Sequence, residues 1–294
     1  PETMASEIET RAMQRAILLA AFGLGSTSPN PPVGRVVLDR DGHVVGEGYH
    51  QRKGEAHAEV HALAAAGGHA RGSTAVVTLE PCNHHGRTPP CRQALLDAGI
   101  ARTVIALIDP TSREEGGAAR LRAAGVDVEV GVLAEAARQV MRPWLHGLSH
   151  RRPHVTWLYE VGPHGHISSP DEALVRRHRI RVDAVVDVHG RVSEGLPDAH
   201  GPAAFSLSTT AMDREPVEVL KALYAGGVRS LLAACHPDLA RRLLAAGLVD
   251  QVTFYATPAP PSAPGTRTLV PAGFGIEAID AAGEWIQVTA TPQH

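Results

Sequence analysis

Thr78-Leu79-Glu80-Pro81-Cys82-Asn83-His84-His85-Gly86-Arg87-Thr88-Pro89-Pro90-Cys91 runs from the end of an apolar strand, through a proline-rich loop, to the first residue of a helix. It places two thiols with eight residues between them. Upstream, His57-Ala58-Glu59 opens another helix and contributes an imidazole and a carboxylate. Zn²⁺ favours thiolate and imidazole in a tetrahedral set, and three protein ligands leave the fourth position for water, whose pKa falls from about 15.7 to about 7. Glu59 is too close in sequence to His57 to be a comfortable fourth ligand, yet it is well placed to take a proton from that water. The expected metal set is therefore His57, Cys82 and Cys91, with Glu59 as catalytic proton carrier. Cys91 at a helix start also gains from the partial positive charge there, which favours thiolate over thiol.

Outward from this core, the first half alternates helix and strand. A helix from about Ser6 to Phe22 precedes the rigid loop Ser28-Pro29-Asn30-Pro31-Pro32 and a strand from Gly34 to Leu38. Asp41-Gly42 between Val-rich runs predicts a hairpin into a second strand, His43 to Glu47. A helix from Ala56 to Ala66, strand Ala75 to Leu79, helix Cys91 to Gly99, strand Thr103 to Ile108, helix Gly117 to Ala124 and strand Asp127 to Val130 complete an α/β layered domain. Between Met141 and Pro153 the composition shifts to Arg, His and Pro, which reads as an interdomain linker. Beyond it, strands Val155 to Tyr159, Ala184 to Val188, Ser230 to Ala234 and Gln251 to Thr257 alternate with helices Pro170 to Arg179, Pro216 to Ala225 and Pro237 to Ala246. Pro258 to Pro264 is a Pro/Ala-rich loop, and Trp285 to Ala290 is a closing strand. The expected domains are 4–146 and 153–294.

At 294 residues with 44% hydrophobic side chains, the chain fills two cores. A net charge of −3 and a pI near 6.7 provide no basic stripe for a phosphate backbone, so polymeric nucleic acid is not an expected partner. No apolar run has the length of a membrane span; Ala16 to Phe22 belongs to an amphipathic helix, and a cytoplasmic protein is expected. Three cysteines do not make a disulfide framework, and Cys235 reads as a small buried apolar side chain. Pro1-Glu2-Thr3 ahead of Met4 reads as a remnant of cloning, with Met4 the expected start.

A lone His or Cys is usually structural, but His-x-Glu at a helix start, Pro-Cys at a strand end and Cys opening the next helix together match the signature of zinc deaminases in type and context. The spacing departs from the C-x2-C of nucleic-acid and cytidine deaminases, and the longer loop is able to line a pocket. In addition, Asn30-Pro31-Pro32-Val33-Gly34, Gly46-Glu47-Gly48-Tyr49-His50, His57-Ala58-Glu59-Val60-His61-Ala62-Leu63, the string from Thr78 to Cys91, and Asp109-Pro110 resemble the deaminase half of the bifunctional riboflavin-biosynthesis deaminase/reductase family, over about residues 8 to 145. The resemblance implies a cytidine-deaminase-like α/β/α domain followed by a dihydrofolate-reductase-like α/β domain. It also implies one zinc per chain, and deamination of 2,5-diamino-6-ribosylamino-4(3H)-pyrimidinone 5′-phosphate, with Glu59 passing protons to the ring nitrogen and the departing amine.

Carried over position by position, the resemblance places Asn30, His50, His84, Arg87 and Asp109 at the substrate. Without it, Asn30 reads as a turn residue, His50 as a surface histidine and Arg87 as a solvated arginine. With it, Arg87 is placed to grip phosphate through paired N–H groups, and His84 lines the pocket or orients a ligand. The pattern departs after Asp109. Relatives continue Asp-Pro-Asn-Pro with a glycine-containing stretch, whereas this chain reads Asp109-Pro110-Thr111-Ser112-Arg113-Glu114-Glu115. Two carboxylates there repel a phosphate unless turned away or offset by Arg113.

The second half keeps the family's frame at Val155-Thr156, Arg181-Val182-Asp183-Ala184-Val185 and Ala246-Gly247-Leu248-Val249-Asp250 but not its cofactor equipment. Gly162-Pro163-His164-Gly165-His166, Asp187-Val188-His189-Gly190 and Ala234-Cys235-His236 stand where relatives carry an acidic and basic pair and two glycine-rich turns. Shortening is concentrated between Asp198 and Asp213. NADPH is not expected, and the domain is expected to pack and to form a homo-oligomer, a dimer in preference. His146, His150 and His154 fall at helical spacing, but Pro153 and the arginines argue against a regular helix and so against a second metal site. The expected function is deamination of the phosphorylated pyrimidine; rival readings are a deaminase of a related heterocycle and a catalytically silent scaffold.

Overall fold

The computed structural model describes residues 4–55, 58–82, 91–112, 116–200, 205, 207, 212, 215–257 and 269–293, and the side chain of Glu59 lies outside the description. The chain divides into two units, Pro1–Arg142 and Pro143–His294.

In the first unit, α1 (Glu7–Ala21) starts from a reciprocal cap: the Ser6 hydroxyl accepts the Glu9 N–H while the Glu9 carboxylate accepts the Ser6 N–H. Its buried residues Ala12, Met13, Ala16, Leu19 and Ala20 recur every three or four positions and face the sheet. β1 (Gly34–Leu38) and β2 (Val44–Tyr49) form the hairpin predicted at Asp41-Gly42, with Gly42 at φ +85°. α2 (Ala58–Ala66) and a short 3-10 turn lead to β3 (Thr74–Leu79), α3 (Cys91–Asp97), β4 (Arg102–Leu107), α4 (Gly116–Ala123) and β5 (Asp127–Val130). The sheet runs β2-β1-β3-β4-β5. β1 is antiparallel to both neighbours, while β3, β4 and β5 are parallel. Val37 and Val77 of the sheet pack with Ala62 and Ala66 of α2, Leu95 of α3 and Leu121 of α4. Gly34, on the opposite face of β1, lets α1 approach so closely that a Cβ would lie 2.0 Å from the Ala16 carbonyl oxygen.

The stretch expected as a linker is instead the end of a 17-residue helix, α5 (Ala134–His150), which runs through Pro143. Ala137, Met141 and Trp144 are buried at helical spacing, and this apolar stripe outweighs the one N–H that Pro143 removes. The helix stops at His150, before Arg151 at φ +55° and Pro153. His146 and His150 therefore stack, one turn apart, with centroids 4.1 Å apart, while His154 meets His146 edge-on from the following strand.

The second unit contains β6 (His154–Val161), β7 (Ile167–Ser168), α6 (Glu172–Arg179), β8 (Ala184–Val186), β9 (Val192–Glu194), α7 (Pro216–Ala225), β10 (Ser230–Ala233), α8 (Pro237–Ala245), β11 (Gln251–Ala256), β12 (Phe274–Ala282) and β13 (Trp285–Pro292). The sheet runs β12-β13-β11-β6-β10-β8-β9, with β7 beside β6. β11, β6, β10 and β8 are parallel. Val155, Trp157, Tyr159, Leu231 and Phe254 pack against Leu220, Leu223, Ala240 and Leu243 of α7 and α8. Asp183 fixes the starts of two strands, accepting the Arg229 and Ser230 N–H groups while its own N–H donates to the Ser230 hydroxyl. The expected single closing strand is a hairpin, because β12 precedes it across the Gly283 turn; an irregularity between Ile276 and Ala278 breaks the period-two pattern in β12. No described helix is long and apolar enough to cross a membrane.

Candidate active site

The end of β3 and the start of α3 bring the two predicted cysteines together. Pairing of β3 with β4 extends through the Glu80 N–H, which donates to the Leu107 carbonyl oxygen at 2.8 Å. Pro81 follows, and then Cys82. The Cys91 N–H donates to Cys82 Sγ at 3.2 Å, and the two sulfurs are 3.1 Å apart. The Arg92 N–H donates to the Cys82 carbonyl oxygen at 3.4 Å, so both ends of the intervening loop are tied. Cys91 is buried, Cys82 is partly exposed, and the two form no disulfide. Two Zn–S bonds of about 2.3 Å at a tetrahedral angle call for sulfurs about 3.8 Å apart, so a modest opening of this pair seats one ion between two thiolate donors.

His57 lies outside the described residues, and so do His84 and Arg87. Glu59 is placed as a position on the first turn of α2. That helix is pressed onto β2 at Gly48, where a Cβ would stand 2.6 Å from His61 Cβ and 2.9 Å from the Ala58 carbonyl oxygen. Any side chain at Gly48 pushes the start of α2 away from the sheet.

Asn30 and His50, far apart in sequence, meet at 3.4 Å between Asn30 Nδ2 and His50 Nε2. An amide NH₂ only donates, so this contact suits an imidazole whose Nε2 accepts. His50 is buried, and its N–H donates to the Val33 carbonyl oxygen. The Gly34 N–H donates to Thr78 Oγ1 at 3.1 Å, which ties the Asn30 loop to the last residues of β3. Asp109, just beyond β4, accepts the Thr111 N–H and hydroxyl on Oδ1 at 2.8 and 2.6 Å.

Sequence reasoning missed Glu80. Its carboxylate is buried and accepts from the Asp109 N–H, the Ser112 hydroxyl and the Ala118 N–H. A lone acid before a proline carries no strong signal; the pair Gly116-Gly117, which closes on it, was the one trace in the sequence. Among the described residues the ligand-type trio that converges is Asp39, Asp41 and His43, in the exposed hairpin turn. There Asp39 Oδ1 already accepts the Asp41 and His43 N–H groups.

In the second unit, Asp187-Val188-His189-Gly190 is a tight turn joining β8 directly to β9. The Asp187 carboxylate accepts the His189 and Arg191 N–H groups at 2.8 and 3.0 Å and pairs with the Arg191 guanidinium. Burial opposes its charge, but these bonds and Arg191 hold it below the usual carboxylate range. At the end of β10, Cys235 is fully buried, and burial pushes its thiol up to about 12. His236 caps α8, its Nδ1 accepting the Asp238 N–H.

Comparison with known proteins agrees with both halves. Residues 6–107 match the cytidine and deoxycytidylate deaminase zinc-binding region, and residues 182–273 match the RibD C-terminal domain. The chain is 37% identical over 274 residues to the riboflavin biosynthesis protein RibD of Mycobacterium tuberculosis, covering 80% of each. It is 54% identical over 134 residues to that of Escherichia coli, covering 45% of this chain and 36% of the relative. Acinetobacter baumannii RibD superposes with a TM-score of 0.78 at 26% identity, over 98% of this chain and 99% of that one. A Thermotoga maritima diaminohydroxyphosphoribosylaminopyrimidine deaminase/5-amino-6-(5-phosphoribosylamino)uracil reductase has the same fold, with a TM-score of 0.79 at 24% identity, over 97% and 99% of the chains. The molecule is a hydrolytic deaminase of the zinc-binding class, built from a cytidine-deaminase-like domain and a reductase-like domain. It belongs to the RibD family of riboflavin biosynthesis proteins.

Proposed function

We propose that the first unit deaminates 2,5-diamino-6-ribosylamino-4(3H)-pyrimidinone 5′-phosphate, with zinc on His57, Cys82 and Cys91, and that the second unit no longer reduces the product. The observation that carries the reading is the apposition of Cys82 and Cys91, whose sulfurs face each other at 3.1 Å between a strand end and a helix start. With zinc bound, the site would supply a water acidified to a pKa of about 7, a nucleophile at neutral pH. Glu59 would carry one proton from the attacking water to the ring nitrogen and a second, from the hydroxyl left on the ring carbon, to the exocyclic amine, so that ammonia leaves and a carbonyl remains. Asn30 and His50 orient the ring, Asp109 holds the ribose side, and Arg87 grips the phosphate. His84 lines the pocket.

Loss of the reductase rests on the β8–β9 turn. A dinucleotide phosphate needs open backbone N–H donors. Here the His189 and Arg191 N–H groups are already taken by the Asp187 carboxylate, which also repels an incoming phosphate. Cys235 adds a side chain where close approach calls for glycine. The second unit then serves assembly, as a homodimer, a role supported by exposed Ile276, Ile279 and Ile286 on β12 and β13.

A second reading, a deaminase of a related aminopyrimidine, is favoured by Glu114 and Glu115, which bring negative charge to the segment after Asp109. Ammonia release from the phosphorylated pyrimidine, its dephosphorylated form and ring-modified analogues separates the two. Turnover highest with the phosphorylated compound is expected; turnover of an analogue but not of that compound rejects the first reading.

A further inference from the structure

We infer that Glu80, at the end of the strand that leads to Cys82, is a positioning residue for the deamination, setting where Asp109 stands just beyond β4. The inference rests on the deaminase reading above. Glu80 is the last residue before Pro81-Cys82, and its side chain is buried. Oε2 accepts the Asp109 N–H at 3.2 Å and the Ser112 hydroxyl at 3.0 Å, and Oε1 accepts the Ala118 N–H of α4 at 2.8 Å. One carboxylate thus holds both ends of the 109–118 segment, the segment in which this chain departs from the sequence pattern it otherwise follows.

The packing around it leaves no slack. At Gly116 a Cβ would come within 2.7 Å of Glu80 Oε1, and at Gly117 within 2.0 Å of the Pro81 carbonyl oxygen. Those glycines let the start of α4 seat directly on Glu80-Pro81. The Asp109 side chain is itself fixed, with Oδ1 accepting from Thr111, so a movement of its backbone carries the carboxylate along. A partly buried N–H that loses its acceptor turns toward another partner or water, and the group that moves with the Asp109 N–H is a proposed substrate contact.

The two oxygens of the carboxylate serve both sides. In Glu80→Gln the amide offers one acceptor oxygen, so its NH₂ faces either the Asp109 N–H or the Ala118 N–H, donor against donor. Kinetics with the phosphorylated pyrimidine, zinc content per chain and melting temperature test the inference in Glu80→Gln, Asp109→Ala and the double variant. We expect Glu80→Gln to raise KM about tenfold, with kcat within about threefold and zinc still at one per chain. In the Asp109→Ala background the same substitution adds less than about twofold, because its effect runs through Asp109. Unchanged KM, loss of zinc, or an undiminished effect without Asp109 overturns the inference. Should Glu80→Gln fail to fold, Ser112→Ala removes one of the same bonds. It is expected to raise KM about threefold only when Asp109 is present, and an unaltered KM overturns the inference equally. A zinc-loaded parent protein that releases no ammonia refutes the deaminase reading itself, a failure visible before any variant is made.

Discussion

Cys82 and Cys91 meet because a strand end and a helix start are hydrogen-bonded to each other through the Cys91 N–H. Each side chain then has a separable task, and single substitutions resolve them. Glu59→Gln is expected to keep zinc at one per chain and to lose at least about 10³-fold in kcat, since the ligands stay and the proton carrier does not. Near-parental turnover in that variant removes Glu59 from its role. Cys91→Ala is expected to cost the metal itself, with content by atomic emission falling to roughly a tenth or less. The cysteines were legible in sequence because residue type, spacing and predicted context agreed. The contact between Asn30 and His50 was legible only through the family resemblance, since nothing in either residue's neighbours tells of the other. Glu80 escaped because the worth of a buried carboxylate depends on which N–H groups the fold brings to it, here from residues 109 to 118.

At the scale of elements, the turn between β8 and β9 and the seam between α1 and the far strands make the sharpest statements. If the Asp187 carboxylate occupies the donors a dinucleotide would need, titration of NADPH should give no saturable fluorescence change up to about 1 mM, whereas micromolar affinity contradicts the reading. Arg102 on β4 donates to Glu9 of α1 at 2.6 Å, to Asp127 at 2.5 Å and to Glu129. Burial works against its charge, yet the three carboxylates more than offset that and raise its pKa. Arg102→Ala leaves three carboxylates facing one another, and we expect about 2–4 kcal/mol of lost stability by urea denaturation. A change below about 0.5 kcal/mol shows the cluster to be solvated. Most elements were legible from apolar periodicity bounded by Gly and Pro. The C-terminal half of α5 was not, because Arg, His and Pro dominate its composition while burial of Ala137, Met141 and Trp144 decides its conformation. β12 was hidden by the irregularity that interrupts its alternation and by burial too slight to leave a pattern.

At the scale of the whole molecule, the two units are expected to respond differently to acid. In the second, burial lowers His146 and His178 from 6.5 to about 4. Asp250 resists that shift at His146, while the cations Arg177 and Arg181 reinforce it at His178. Both histidines bind protons more readily unfolded than folded, so their contribution is intact above pH 6.5 and is lost progressively as pH falls toward 4. In the first unit, burial opposes ionisation of Glu9, but Arg102 and the Ser6 N–H outweigh it and depress its pKa. That contribution persists above about 4.5 and disappears only below it. Calorimetry between pH 7 and pH 4 should therefore show the second unit weakening first, and His178→Gln should flatten its dependence; parallel loss in both units contradicts the assignment. The two-unit plan was legible because length and hydrophobic content allow two cores. The reductase-like frame of the second unit emerged from segments such as Arg181 to Val185, whose aspartate ties β8 to β10.

The most direct test of the central claim is ammonia release from 2,5-diamino-6-ribosylamino-4(3H)-pyrimidinone 5′-phosphate by protein stripped of metal and then titrated with Zn²⁺. Turnover is expected to be absent without metal and to rise to a plateau at one zinc per chain, with one ammonia for each substrate consumed. Turnover that persists in the stripped protein, or a fully zinc-loaded protein that releases no ammonia, contradicts it.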